Sequence, residues 1–253
     1  FTENNGQWPQ EVLMMSEVKG GRAWFLKDGI RYQLFSNETL AQMHPQKGDE
    51  SEHPAVFKSL VFDVKWEGGS STIANGRHSK IHKKHFYLSG GKGENASVFE
   101  EFEQPMVYPG VDLRWRGAGN ALKYEWVIHP NVQPAIISQQ YDSSVRLHVE
   151  SDGLHIINET GEMIEKHPYC YQIIEGKVIE VSSQFVLSHQ KVSYQLGNYD
   201  PHYELVIDPE IIFSTYVGAT SSNFGFTACN DLEGNLVSGG ISFGQNYPVT
   251  PGA

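Results

Sequence analysis

The stretch "VDLRWRGAGNALKYEWVI" (residues 111–128) decides the fold. Two runs of alternating apolar and polar residues, "VDLRWRG" and "LKYEWVI", flank Gly117-Ala118-Gly119-Asn120. Period-two alternation places successive side chains on opposite faces of a strand, and a Gly/Asn-rich link favours a tight reversal. The stretch therefore predicts a β-hairpin. The same pattern recurs in both directions. "RAWFL" (22–26) passes through Asp28-Gly29 into "IRYQLF" (30–35), and "FKSLVFDVKW" (57–66) ends at Gly68-Gly69. "VRLHVE", Asp152-Gly153 and "LHII" make another hairpin, and "YCYQII", Glu175-Gly176 and "KVIEV" one more. "SQFVLS", "VSYQL" and "YELVI" follow. No window of about 11–18 residues carries a helical apolar stripe. Strands separated by turn signals roughly every 8–12 residues predict an all-β chain of antiparallel sheets, in sandwich-like domains.

Composition narrows the function. The 253 residues are 39% hydrophobic and 19% charged, which excludes a disordered chain. The net charge of −11 argues against nucleic acid as a partner, because phosphate binding needs a cationic surface. No apolar run approaches the roughly 20 residues that cross a bilayer. The sequence opens at Phe1 without a leader, so a processed start or an excised piece is expected. Segments 37–55, polar with two prolines, and 89–97, "SGGKGENAS", are expected as loops.

Past Asp208-Pro209 the composition turns rich in Gly, Ser and Asn. A boundary is expected there, with residues 1–209 as one β domain, divided further near 129–134, and residues 210–253 as a separate unit. The quoted residues also resemble a known family. "FTENNGQWP" (1–9), "WFLKDGIRYQL" (24–34), "YPGVDLRW" (108–115), "LKYEWVIHPN" (122–131), "HPYCYQ" (167–172) and "YDPHYELVIDPEIIFSTYVG" (199–218) are similar, in order, to the N-terminal β domain that precedes seven-bladed β-propeller repeats in bacterial surface proteins. Residues 213–253 resemble one such repeat, with Asp231-Leu232-Glu233-Gly234-Asn235 as its turn and Tyr247-Pro248-Val249-Thr250 near its close. Ala219, Ile241-Ser242 and Tyr247 depart mildly from that pattern.

The resemblance implies a β-sandwich-like domain followed by one β-propeller-type repeat, a fragment of a longer array, since one repeat cannot bury its faces alone. It further implies a non-enzymatic structural or interaction module of a secreted or cell-surface protein of Bacteroidota. Such proteins are exported through the periplasm, and many are linked to type 9 secretion, gliding and adhesion. The expected partners are other surface or secretion-system proteins, or a glycan. A carbohydrate-binding module or carbohydrate-active enzyme is the alternative, and a metal-dependent adhesion module a third.

No residue is assigned a catalytic or cofactor-binding role. "RHSKIHKKH" (77–85) makes His78 and His82 candidates for a metal, since both share a strand face and His85 does not. A solvated basic strand edge, meeting the acidic "ENASVFEEFE" (94–103), is favoured over a ligand set. Asp231 is a candidate for calcium, but its loop holds few carboxylates. "SGGKGEN" (89–95) lacks phosphate-loop spacing, and no Gly-x-Ser-x-Gly nucleophile turn occurs. Asp112 and Asp208 are expected to accept backbone N–H bonds at turns. Cys170 and Cys229 are expected as buried free thiols, with a disulfide between them as the alternative.

Overall fold

The structure is a computed structural model and describes residues 1–36, 58–87, 93–118, 121–159, 161–214, 223–230 and 236–242. The strands in chain order begin with β1 (Thr2–Glu3), β2 (Val12–Val18), β3 (Gly21–Leu26), β4 (Gly29–Phe35) and β5 (Ser59–Trp66). Next come β6 (Asn75–Ser79), β7 (Lys84–Tyr87), β8 (Gly93–Ala96), β9 (Phe99–Tyr108), β10 (Val111–Ala118) and β11 (Ala121–Ile128). A 3-10 turn at Pro134–Ile136 leads to β12 (Gln139–Tyr141), β13 (Arg146–Glu150), β14 (Gly153–Asn158), β15 (Gly161–Lys166), β16 (Tyr169–Ile174) and β17 (Lys177–Val181). The last are β18 (Ser183–Ser188), β19 (Lys191–Leu196), β20 (Leu205–Asp208), β21 (Glu210–Ser214), β22 (Asn223–Asn230) and β23 (Leu236–Ser242). No helix among the described residues is long and apolar enough to cross a membrane.

The chain is all-β, as its alternation predicts, and every paired strand is antiparallel to its neighbour. One sheet runs β1-β2-β3-β4-β5-β12-β19-β18. The other runs β13-β14-β15-β21-β11-β10-β9-β6, with β20 joining β11 to the β16–β17 hairpin. Each hairpin read from sequence is present. The quoted stretch pairs from Val111↔Ile128 to Ala118↔Ala121. At Glu175-Gly176 both residues take positive φ, 50° and 77°, as a tight two-residue reversal requires.

The two sheets pack face to face through aromatic rings. Phe25 of β3 meets Phe102 of β9 at 4.9 Å and Trp115 of β10 at 4.8 Å, both edge-on. Trp66 of β5 meets Trp126 of β11 at 5.3 Å. Phe25, Trp115 and Trp126 are essentially inaccessible. Burying a ring such as Phe25 contributes about 1.5–3 kcal/mol, so this band supplies much of the cohesion between layers.

A polar network crosses the same interface. Glu165 of β15 is fully buried and accepts hydrogen bonds from the hydroxyls of Tyr124 and of Tyr141, the latter at 3.0 Å. Trp126 Nε1 donates to the Tyr194 hydroxyl (3.2 Å), which lies 3.0 Å from that of Tyr124. Gln139 Nε2 donates to Tyr124 (3.1 Å). Burial pushes the Glu165 carboxyl up to about 7 against the opposing pull of its two tyrosines. Burial, then the nearby Glu165 charge, holds Tyr124, Tyr141 and Tyr194 well above the usual phenol range, so they remain donors.

Both sheets draw strands from before and after residues 129–134, and one hydrophobic core runs from Met14 to Ile211. The division anticipated near 129–134 is thus a turn within one core, because β12, β18 and β19 complete the first sheet and β13–β15 extend the second. Strand β21 lies beyond the anticipated boundary at 209 yet sits between β15 and β11 in the second sheet. Its Ile211 is 3% exposed and belongs to the core. β22 and β23 pair with each other as a separate two-stranded sheet. Residues 37–57, expected mostly as loop, lie outside the described residues, as does the 231–235 turn. Residues 93–96, expected as part of a loop, instead form β8 against β7. Their composition is poor in strand formers, and it is the tertiary partner that fixes them.

Candidate functional site

The residues singled out from sequence do not converge. His78 is the next-to-last residue of β6, has φ of 52° and contacts Glu101 at 3.2 Å. The chain then leaves the sheet, and His82 lies in an exposed connection before β7. His78 and His82 thus do not share a strand face, because the strand assumed between them is broken. The basic-edge expectation holds: Arg77 pairs with Glu103 and His78 with Glu101 across β6 and β9, and Lys80, just past β6, with Glu100. Asp231 and the Cys229 side chain lie outside the described residues. Cys170 is a free, buried thiol, and burial pushes it up to about 12, so it is not a nucleophile at neutral pH. Asp112 accepts the Met106 N–H at 2.8 Å and contacts His129 Nε2 at 2.9 Å, bracing the bulge between β9 and β10.

The opening "FTENNGQWP" is likewise structural. The Asn4 side chain accepts from the N–H of Gly6 and Trp8 and donates to the carbonyls of Trp8, Pro9 and Val12. One amide thereby closes the whole loop.

The chemistry gathers on the outer face of the second sheet. Alternation along β10 sends Leu113 and Trp115 inward and Arg114 and Arg116 outward. Register places Glu125 of β11 opposite Arg114, and Arg116 opposite Glu101 of β9. Arg116 contacts Glu101 at 3.2 Å and Glu125 at 3.3 Å, and Arg114 contacts Glu103 at 3.4 Å. The sheet continues sideways through β20 to β16, so that Val127, Val206 and Tyr171 lie in one cross-strand row. A cleft of about 490 Å³ opens on this surface. Val206 lines its floor with Arg114, Arg116 and Glu125, Tyr171 and Ile173 form one wall, and Pro130 and His202–Glu204 form the rim.

Electrostatics in the cleft are unusual for a surface. Burial pushes Glu125 upward, with Arg116 pulling the other way and Asp208 reinforcing the rise. Asp208, the next acid along the sheet, is also raised, chiefly by burial. Tyr171 stacks on Tyr169 at 5.5 Å, and Tyr169 and Ile173 are 44% and 58% exposed. The result is an aromatic and aliphatic wall beside two guanidiniums and a carboxylate, a set that suits a ligand with both a flat apolar face and hydroxyl or amide groups.

No spacing in the sequence joins these residues, since Arg114, Tyr171 and Tyr203 come from three separate elements. The outward alternation of Arg114 and Arg116 was the only sequence-level signal. The groups with metal-ligating chemistry that do converge among the described residues lie on β13–β15, not on 77–85.

No curated protein and no solved structure matches the chain. Residues 1–210 match the family described as a domain of unknown function, DUF7948, which carries the match to the first residue of β21. That match spans most of the 253 residues, and the protein belongs to the DUF7948 family.

Proposed function

We propose that the chain is a non-enzymatic interaction module of a secreted or cell-surface bacterial protein, and that it takes a glycan in the cleft beside Tyr171. The observation that carries this is the placement of the half-buried Tyr171 ring and the exposed Ile173 beside Arg114, Arg116 and Glu125 on one open surface. Aromatic faces stack on the apolar side of a sugar ring, while guanidinium and carboxylate groups hold its hydroxyls. The surface-protein context rests on the resemblance of the chain to domains that precede β-propeller repeats, and with it the link to type 9 secretion, gliding and adhesion.

Binding of the chain to an array of bacterial and host oligosaccharides, followed by calorimetry on the best ligand, tests this. Tyr171→Ala and Arg116→Ala are each expected to weaken binding at least about tenfold, as truncation of a central contact does. Absence of any saturable glycan binding, or binding indifferent to both substitutions, defeats the proposal.

A further inference from the structure

A second polar group lies on the outer face of β13–β15, built from different strands than the cleft. Register puts His148 of β13 directly opposite His155 of β14. Their rings stack at 4.9 Å with planes 20° apart. Glu162 of β15 sits diagonally across, paired with Ile157. Its Oε1 is 2.7 Å from His155 Nδ1, and Asp152 Oδ1 is 2.8 Å from His155 Nε2. Glu150 reaches both rings, 2.9 Å from His148 Nε2 and 4.0 Å from His155 Nε2.

His155 poses a proton problem. A neutral imidazole offers one N–H and one lone pair. Here both ring nitrogens face carboxylates, and the side chain is only 9% exposed. The lone-pair nitrogen of a neutral ring would point at an anion. A second proton on the ring resolves this, and so does a metal ion in place of that proton. An ion in that place is also within reach of a third group, because a donor atom of His148 lies close to those of His155 and Glu162. Local charge agrees: Glu150, Asp152 and Glu162 outnumber Arg146 of β13 and Lys166 of β15 on this face, and Lys166 is paired with Glu210, an excess of negative charge that a dication offsets.

The geometry is within reach. One donor atom from each of His148, His155 and Glu162 lies within 4.8 Å of the other two. Tetrahedral ligands at about 2.0–2.2 Å from zinc stand about 3.4 Å apart, so the site closes when the donors draw together and His148 turns out of its stack on His155, since an imidazole binds an ion in the plane of its ring.

We propose that His148, His155 and Glu162 bind a divalent transition ion of the zinc class, with Asp152 as the carboxylate that orients His155. Asp152 accepts the Nε2–H and thereby leaves the Nδ1 lone pair aimed at the ion beside Glu162. Two imidazoles and one carboxylate suit zinc, whereas calcium and magnesium prefer oxygen ligands alone. The ion ties three adjacent strands together at the β13 end of the sheet. Glu150, Asp152 and His155 also converge, but that set holds one imidazole and two exposed carboxylates, one at the end of β13 and one in the turn after it.

Zinc titration of the chelator-stripped chain, by calorimetry and thermal denaturation, tests the site. One ion per chain is expected, with Tm raised by about 5–10 °C at a zinc concentration a hundredfold above Kd. Calcium is expected to leave Tm unchanged. His148→Ala and Glu162→Gln are each expected to weaken zinc at least about tenfold, and Asp152→Asn about tenfold, as loss of an orienting partner does. The zinc-free Tm and circular dichroism of each variant show that it is folded; both ligand positions are at the surface, and His148→Gln replaces the alanine variant if that one is unfolded. Cobalt(II) binding with a tetrahedral ligand-field spectrum supports the assignment independently. The proposal is overturned by the absence of stoichiometric zinc binding or by zinc affinity that survives His148→Ala with Glu162→Gln. Loss of affinity in His78→Ala with His82→Ala, or in Glu150→Gln while His148→Ala is harmless, also overturns it.

Discussion

Replacing Glu165 by Gln should remove a pH dependence that this one carboxyl imposes on stability. Its folded pKa is raised to about 7 by complete burial, against an ordinary value of 4.5. Between those two values the folded chain holds a proton that the unfolded chain releases. Stability from this group is therefore fully present below about pH 4.5 and is lost as pH rises to about 7. A rise of that size corresponds to about 3 kcal/mol in total, of which roughly 2–3 kcal/mol falls between about pH 5 and about pH 8. The cost is that of ionising a carboxylate between two sheets, where the Tyr124 and Tyr141 hydroxyls compensate only in part. Glutamine keeps the volume and an acceptor oxygen but cannot ionise. Urea or thermal denaturation of both proteins across this range, read as the difference between them, isolates Glu165 from all other titrating groups. The variant should gain on the native protein by roughly 2–3 kcal/mol from acid to alkaline pH, or about 5–10 °C in Tm. Parallel pH profiles for the two proteins would refute the reasoning.

Two further outcomes follow from the sheet. Gly153→Ala should cost roughly 2–3 kcal/mol in denaturant unfolding, because the residue has φ of 152° and an added Cβ would lie 2.1 Å from the Glu165 carbonyl oxygen; a loss under about 0.5 kcal/mol would contradict the register of β14 on β15. Truncation after Pro209 should abolish the cooperative transition and raise binding of a hydrophobic dye, since it removes β21 from between β15 and β11 and uncovers the pocket of Ile211; an unchanged Tm would show that β21 is dispensable.

The local elements are legible in the residues alone. Alternation in "VDLRWRG" and "LKYEWVI" fixes which side chains of β10 and β11 face the core, because the strand period is two; Asp28-Gly29 and Asp152-Gly153 mark reversals by their turn-forming composition, and Glu175-Gly176 also by the positive φ of both residues. The acidic partner of the basic edge was also legible, since β6 and β9 carry opposite charges in bulk. Which strands become neighbours is settled by long-range packing. β21 crosses a compositional boundary to fill a place in the sheet, because an open slot between β15 and β11 leaves backbone groups unpaired whatever the composition next to it. The same holds for both sites. Arg114, Tyr171 and Tyr203 meet only because β20 bridges β11 to β16. His148 and His155 share a hairpin, but Glu162 reaches them through the diagonal register of the next strand. The Glu165 network shows the limit most plainly: "GEMIEK" reads as alternating, and alternation places a carboxylate in the core, where the hydroxyls of Tyr124 from its own sheet and Tyr141 from the facing one make that tolerable.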